Sequence, residues 1–150
     1  MLRRLRSVIV PLAAISLLAI DGCTKAGPKM VKVSGIVRYK DGKPLEVPEK
    51  GMASITFEPA DLAAPSGSDQ LRKGAGGKIK PDGTFELSTV KMGDGVIPGK
   101  YKVKILALRS YTNPSTGMIP AKYTNSQTSG FEEVTIDKPR SDLLFELDRQ

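Results

Sequence analysis

Residues 95–108 read GVIPGKYKVKILAL. After a Pro98-Gly99 turn, Lys100, Lys102 and Lys104 alternate with Tyr101, Val103 and Ile105. A period of two over this length marks a strand with one buried face and one wet face. Its branched and aromatic residues suit a central place in a sheet. The other strands the pattern predicts are shorter or weaker, so this one is expected to be the strand they pack around.

Those other strands follow from the same alternation. Residues 30–39 put Val31, Val33, Val37 and Tyr39 on one face, with Gly35 as a gap that marks a bulge or a close backbone approach. Asp41-Gly42-Lys43-Pro44 is a hairpin signal, since Asp-Gly tolerates the positive φ of a tight turn. Residues 53–58 align Ala53, Ile55 and Phe57; a short strand at 78–80 turns through Pro81-Asp82-Gly83 into another at 84–89. The last two strands are expected at 131–137 and 142–148. Stretches 59–77 and 109–130 have no steady period and read as long connections, which are uncommon in a compact domain unless functional or mobile. Seven short strands with turns between them and no helix after residue 29 predict an all-β fold, a seven-stranded antiparallel Greek-key-type β-sandwich over residues 30–150.

Residues 1–22 break this pattern. Arg3, Arg4 and Arg6 precede an apolar run over 8–20, interrupted only by Pro11 and Ser16. That run is shorter than the ~20 residues a mature membrane helix needs, and a basic start with a short apolar core describes a signal helix for export. Ile20-Asp21-Gly22-Cys23 resembles the lipobox of bacterial lipoproteins, in which the cysteine is lipidated and becomes the first residue; Asp21 departs from the small or apolar residue usual there. The resemblance implies a lipid anchor on Cys23, a tether over 23–29 and a place in the cell envelope, on the extracytoplasmic side of a membrane. Two other readings of Cys23 stand beside it: a free thiol in an uncleaved anchor, or loss of the residue by cleavage after Ala26.

Charge and composition then narrow the chemistry. The chain carries 23 basic and 16 acidic residues; removing residues 1–22 takes away three arginines and Asp21 and leaves a net of +5. This favours anionic surfaces but does not define a nucleic-acid binder, which would interleave aromatics with its basic residues for stacking. All four phenylalanines fall instead in predicted strands. No histidine is present, which removes the ordinary general base near neutral pH and with it the Ser-His-Asp and Cys-His systems. A single cysteine and no histidine leave zinc without ligands. Asp41, Asp82 and Asp94 each precede a glycine, and are read as three tight turns rather than calcium ligands. Gly74-Ala75-Gly76-Gly77 lacks the Lys-Ser/Thr ending of a phosphate loop and is read as a loop. No cofactor, metal or catalytic residue is expected. The lysines of residues 100–104 are read as the solvated face of a strand, and the binding candidates are Tyr111, Met118 and Tyr123 on the long connection, where binding residues concentrate. Tyr123 has an equal structural reading, folding that loop back onto the sandwich.

The order of several pieces resembles a family. Gly35-Ile36-Val37, Asp41-Gly42-Lys43-Pro44, Ala53-Ser54-Ile55-Thr56-Phe57, Asp82-Gly83-Thr84-Phe85 and Pro98-Gly99-Lys100-Tyr101-Lys102-Val103 follow one another. Together with Ile119-Pro120-Ala121-Lys122-Tyr123, they are similar to the carboxypeptidase regulatory-like domain, a transthyretin-like (prealbumin-like) sandwich of small bacterial lipoproteins. The resemblance spans roughly residues 31–148 and implies a non-catalytic binding or structural module, partnered by an envelope protein or polysaccharide. A carbohydrate- or peptide-binding module using the long loops is the alternative, and an unrecognised hydrolase a more distant one. The transthyretin-like hydrolases of 5-hydroxyisourate use histidines and a terminal Tyr-Arg-Gly-Ser, neither of which this chain carries.

Overall fold

The computed structural model describes residues 29–61, 73–113 and 115–150. The expected signal helix, Cys23, most of the tether and the middle of the 59–77 connection lie outside them. Among the described residues the regular structure is almost entirely β: β1 (Val33–Tyr39), β2 (Met52–Pro59), β3 (Ala75–Lys78), β4 (Thr84–Glu86), β5 (Gly99–Leu108), β6 (Val134–Ile136) and β7 (Arg140–Leu147), with one 3-10 turn, Ala121–Thr124, before β6. The strands form two sheets, ordered β4-β1-β7 and β3-β2-β5-β6. No helix among the described residues is long and apolar enough to cross a membrane.

The alternation read from the sequence is what closes the sandwich. Val33, Val37, Tyr39, Phe85, Leu143, Phe145 and Leu147 of the three-stranded sheet face Ala53, Ile55, Phe57, Tyr101, Val103, Ile105 and Ile136 of the four-stranded sheet, all buried in one core. Each valine, leucine, isoleucine and phenylalanine among them contributes about 1.5–3 kcal/mol on burial. Phe145 sits at the middle of the aromatics, 5.2 Å from Phe131 and 6.0 Å from Phe57 between ring centroids, both edge to face. β5 lies inside its sheet, paired along its length with β2 and at Gly99–Tyr101 with β6. Its outward lysines are all engaged: Lys104 with Glu58 at 2.5 Å, Lys100 with Glu133 at 3.6 Å, and Lys102 with the Gln127 amide oxygen at 2.9 Å.

Three expectations are corrected. The sandwich is not wholly antiparallel, because β7 runs parallel to β1, from Val33↔Arg140 to Tyr39↔Leu147. A period of two is the same in either direction, and nearly the whole domain serves as the crossover that a parallel pair needs. The glycines at 74–77 are not all loop, since β3 pairs with β2 from Ser54↔Lys78 to Phe57↔Ala75. A Cβ on Gly77 would lie only 2.3 Å from the Glu86 carbonyl oxygen, so the missing side chain is what lets β3 pass so close to β4. The strand expected at 84–89 ends at Glu86, after which Ser88 makes only single bridges to Gly76 and Gly95.

Gly35 is the close approach its position announced: a Cβ there would meet the Leu143 carbonyl oxygen at 2.3 Å and the Phe85 ring at 2.8 Å. The turns expected at Asp41-Gly42 and Asp82-Gly83 form with φ of +82° at both glycines.

Candidate ligand groove at one end of the sandwich

β1, β5 and β7 all finish at the same end of the sandwich, and the residues that follow them meet there. Tyr39 closes β1, Arg109 follows β5 and Arg149 follows β7. With Asp41, Lys43, Glu46 and Met118 they line a polar groove of about 380 Å³.

The floor is preorganised by Asp41. Its carboxylate accepts the Lys43 backbone N–H at 3.0 Å, the local turn bond that Asp makes two residues on. The other oxygen accepts from Arg149 at 2.8 Å. The Lys43 N–H first, then the Arg149 guanidinium, hold the Asp41 carboxyl below its ordinary value. The same guanidinium lies 4.2 Å from the centroid of the Tyr39 ring, a cation–π contact. Burial pushes the Tyr39 phenol up, against the opposing pull of Arg149 and Arg109, so it stays a protonated donor at neutral pH.

Three donors in this groove are uncommitted. The Tyr39 hydroxyl, the Arg109 guanidinium and the Lys43 ammonium have no hydrogen-bond or ion-pair partner among the described residues. Arg109 is positioned by its backbone, whose N–H donates to the Thr116 carbonyl at 2.9 Å. The groove therefore offers two cations, Arg109 and Lys43, a phenol O–H, the Glu46 carboxylate and an apolar Met118 flank around a fixed Asp41–Arg149 pair. Those donors have the chemistry to meet an acceptor-rich ligand. A wider groove of about 670 Å³ lies between the edges of β6 and β7, but its guanidinium is taken, Arg140 being held by Asp142 at 2.9 Å.

The three sequence candidates do not converge. Met118 lines the groove, with its N–H on the Ala107 carbonyl at 2.9 Å. Tyr111 is exposed, outside the groove lining, in the turn after β5. Tyr123 is buried in the 3-10 turn, 5.3 Å from Phe131 and nearly parallel to it, with its hydroxyl on Asp148. This is the geometry of a loop folded back onto the sandwich. Tyr39, Arg109 and Arg149 were missed. The signal that could have found them is positional: each stands at or just past the end of a strand, and strand direction would have grouped them.

Each of the three Asp-Gly carboxylates accepts from the backbone of its own turn, Asp41 sharing its second oxygen with Arg149. Asp82 accepts the backbone N–H and the hydroxyl of Thr84, and Asp94 accepts the N–H groups of Thr89, Val90 and Lys91 at 2.7–2.8 Å. Among the described residues no cluster of three or more carboxylate, cysteine or histidine side chains is placed to hold a metal ion.

Compared with known proteins, the chain matches no family model, and no similar curated protein or solved structure is found.

Proposed function

We propose that this chain is a cell-envelope lipoprotein, anchored through Cys23, whose β-sandwich is a non-catalytic module that binds an acceptor-rich envelope ligand. The observation that carries the binding reading is the group of uncommitted donors, Arg109, the Tyr39 hydroxyl and the Lys43 ammonium, in a groove braced by Asp41 and Arg149. The anchoring reading is supported by the basic and apolar start of the chain and by Ile20-Asp21-Gly22-Cys23. The ligand is a polysaccharide rich in hydroxyl and carboxylate oxygens, which match a guanidinium and a phenol O–H. An extended segment of an envelope protein is the second candidate, since peptide carbonyls offer the same acceptors. The transthyretin-like, carboxypeptidase regulatory-like topology belongs to this proposal, supported by the order of strand and turn motifs.

Two measurements test it. Intact mass of the protein taken from membranes is expected to show a species that begins at Cys23 and carries acyl chains; a species that begins at Gly27 overturns the anchor. Glycan-array binding by residues 23–150 is expected to be lost in Arg109→Ala and weakened in Tyr39→Phe. Equal binding by both variants overturns the groove assignment.

A further inference from the structure

The loop between β4 and β5 presents apolar side chains to solvent for no reason internal to the fold. Met92 is fully exposed and Val90 is 60 % exposed, both on the turn at 89–95. The turn is nonetheless tightly built. Besides the three N–H groups on Asp94, the Ser88 hydroxyl accepts the Gly93 N–H at 2.8 Å and the Thr89 hydroxyl donates to the Gly95 carbonyl at 2.8 Å. A braced loop with an apolar tip is a feature held outward, not a frayed one.

Its location is the second observation. Val31 and Val96 exchange backbone hydrogen bonds at 2.9 Å in both directions, and the Lys32 ammonium donates to the Gly93 carbonyl. The tip therefore stands beside the point where the chain coming from Cys23 joins the sandwich. Cys23 to Val31 is eight residues, a reach of about 28 Å at full extension. The ligand groove lies at the opposite end of β1, roughly 20 Å further on for a seven-residue strand. Lys32 and Lys91 are exposed beside the tip, and Lys29 is exposed two residues before Val31; Glu86 offsets Lys32 at 3.9 Å, and the Asp94 carboxylate is turned onto its own loop.

We propose that Val90 and Met92 form a membrane-contacting tip, which inserts into the interfacial layer of the bilayer that holds Cys23 and orients the ligand groove away from it. Two exposed apolar side chains flanked by lysines match the apolar-plus-cationic character of interfacial contacts. The tip acts with the lipid, not in place of it, since two side chains alone give no lasting attachment. This inference rests on the anchoring proposed above.

The test supplies the anchor chemically, so its outcome does not depend on whether Cys23 is acylated in the cell. Residues 23–150 contain every core residue described and the chain's single cysteine, and the chain has no tryptophan. Coupling Cys23 to a maleimide phospholipid in phosphatidylglycerol–phosphatidylcholine vesicles places the domain on a bilayer. Met92→Trp then gives one reporter at the tip, and Tyr111→Trp one away from it, on the turn after β5. Coupled M92W is expected to shift its emission to the blue and to be quenched by lipids brominated near the headgroup at least threefold more than coupled Y111W. Emission of coupled M92W that stays at its uncoupled value, or quenching equal to that of Y111W, overturns the tip. Failure of native anchoring is read separately, in the intact mass.

Discussion

The Tyr123 hydroxyl donates to Asp148 Oδ2 at 2.8 Å and accepts the Asp148 backbone N–H at 3.0 Å. This two-way contact ties the 3-10 turn to the end of β7, with Lys122 and Lys40 closing on the same carboxylate at 2.6 and 2.5 Å. The ring meanwhile stacks on Phe131. Tyr123→Phe keeps the ring and removes both hydroxyl bonds, so it is expected to lower unfolding free energy by about 1–2 kcal/mol. Urea unfolding should show a lower midpoint with an unchanged slope. A midpoint equal to that of the parent would mean the hydroxyl contributes nothing to closing this loop.

Acid stability follows from the same carboxylate. Its bonds to Lys122, Lys40 and Tyr123 hold Asp148 well below the usual carboxylate range. Asp94, Asp82 and Asp41 are lowered as well, Asp94 by the backbone N–H groups of its own turn, Lys91 first. A lowered carboxyl stabilises the fold above its unfolded value of about 3.9 and loses that contribution as pH falls toward its folded value. Melting temperature is therefore expected to hold from pH 8 to about 5, with no histidine to titrate between them. It should fall steadily below about pH 4, and less steeply in Asp148→Asn. An Asp148→Asn profile that parallels the parent below pH 4 would remove Asp148 from this account.

Gly35 provides a steric prediction. Alanine there places a methyl against the Leu143 carbonyl and the Phe85 ring, at the place where the β1–β7 register shifts. Both neighbours are held, one as backbone of the paired strand and one as a buried ring. Gly35→Ala is expected to cost about 1–3 kcal/mol as overpacking, measurable in the same urea titration. A cost below about 0.5 kcal/mol would show that β7 can move away.

The two-layer core was legible because it depends only on alternation and turn residues. Val37, Phe57, Val103 and Phe145 could be placed facing inward without knowing which strand neighbours which. Strand direction was not legible, since β7 has the same pattern whether it runs with β1 or against it. The pairing of glycines 76 and 77 with β2 was hidden for another reason. Glycine carries no alternation, and the nearness of the Glu86 carbonyl explains its use at Gly77. The groove was missed because Tyr39, Arg109 and Arg149 are far apart in sequence and converge only once strand direction is known. Tyr111 and Tyr123 drew attention as aromatics on a long loop. One turned out to be exposed on a turn outside the groove lining and the other to close the core.

The two arginines of the groove separate bracing from binding. Arg149 is committed, to the Asp41 carboxylate at 2.8 Å and over the Tyr39 ring, and its own side chain is exposed. Exposed ion pairs contribute at most about 1 kcal/mol, and an exposed cation–π contact about 0.5–1 kcal/mol. Arg149→Ala is thus expected to lower stability by roughly 1 kcal/mol or less, and to weaken ligand binding indirectly by loosening Tyr39 and Asp41. Arg109 has no such partner, so Arg109→Ala should leave the unfolding midpoint where it is while abolishing binding. Measuring both variants by urea unfolding and by binding to the ligand selected on the array gives a crossed result: a stability loss in Arg149→Ala, and a pure binding loss in Arg109→Ala. If Arg109→Ala instead destabilises the fold and leaves binding intact, the guanidinium is structural and the groove is not the site.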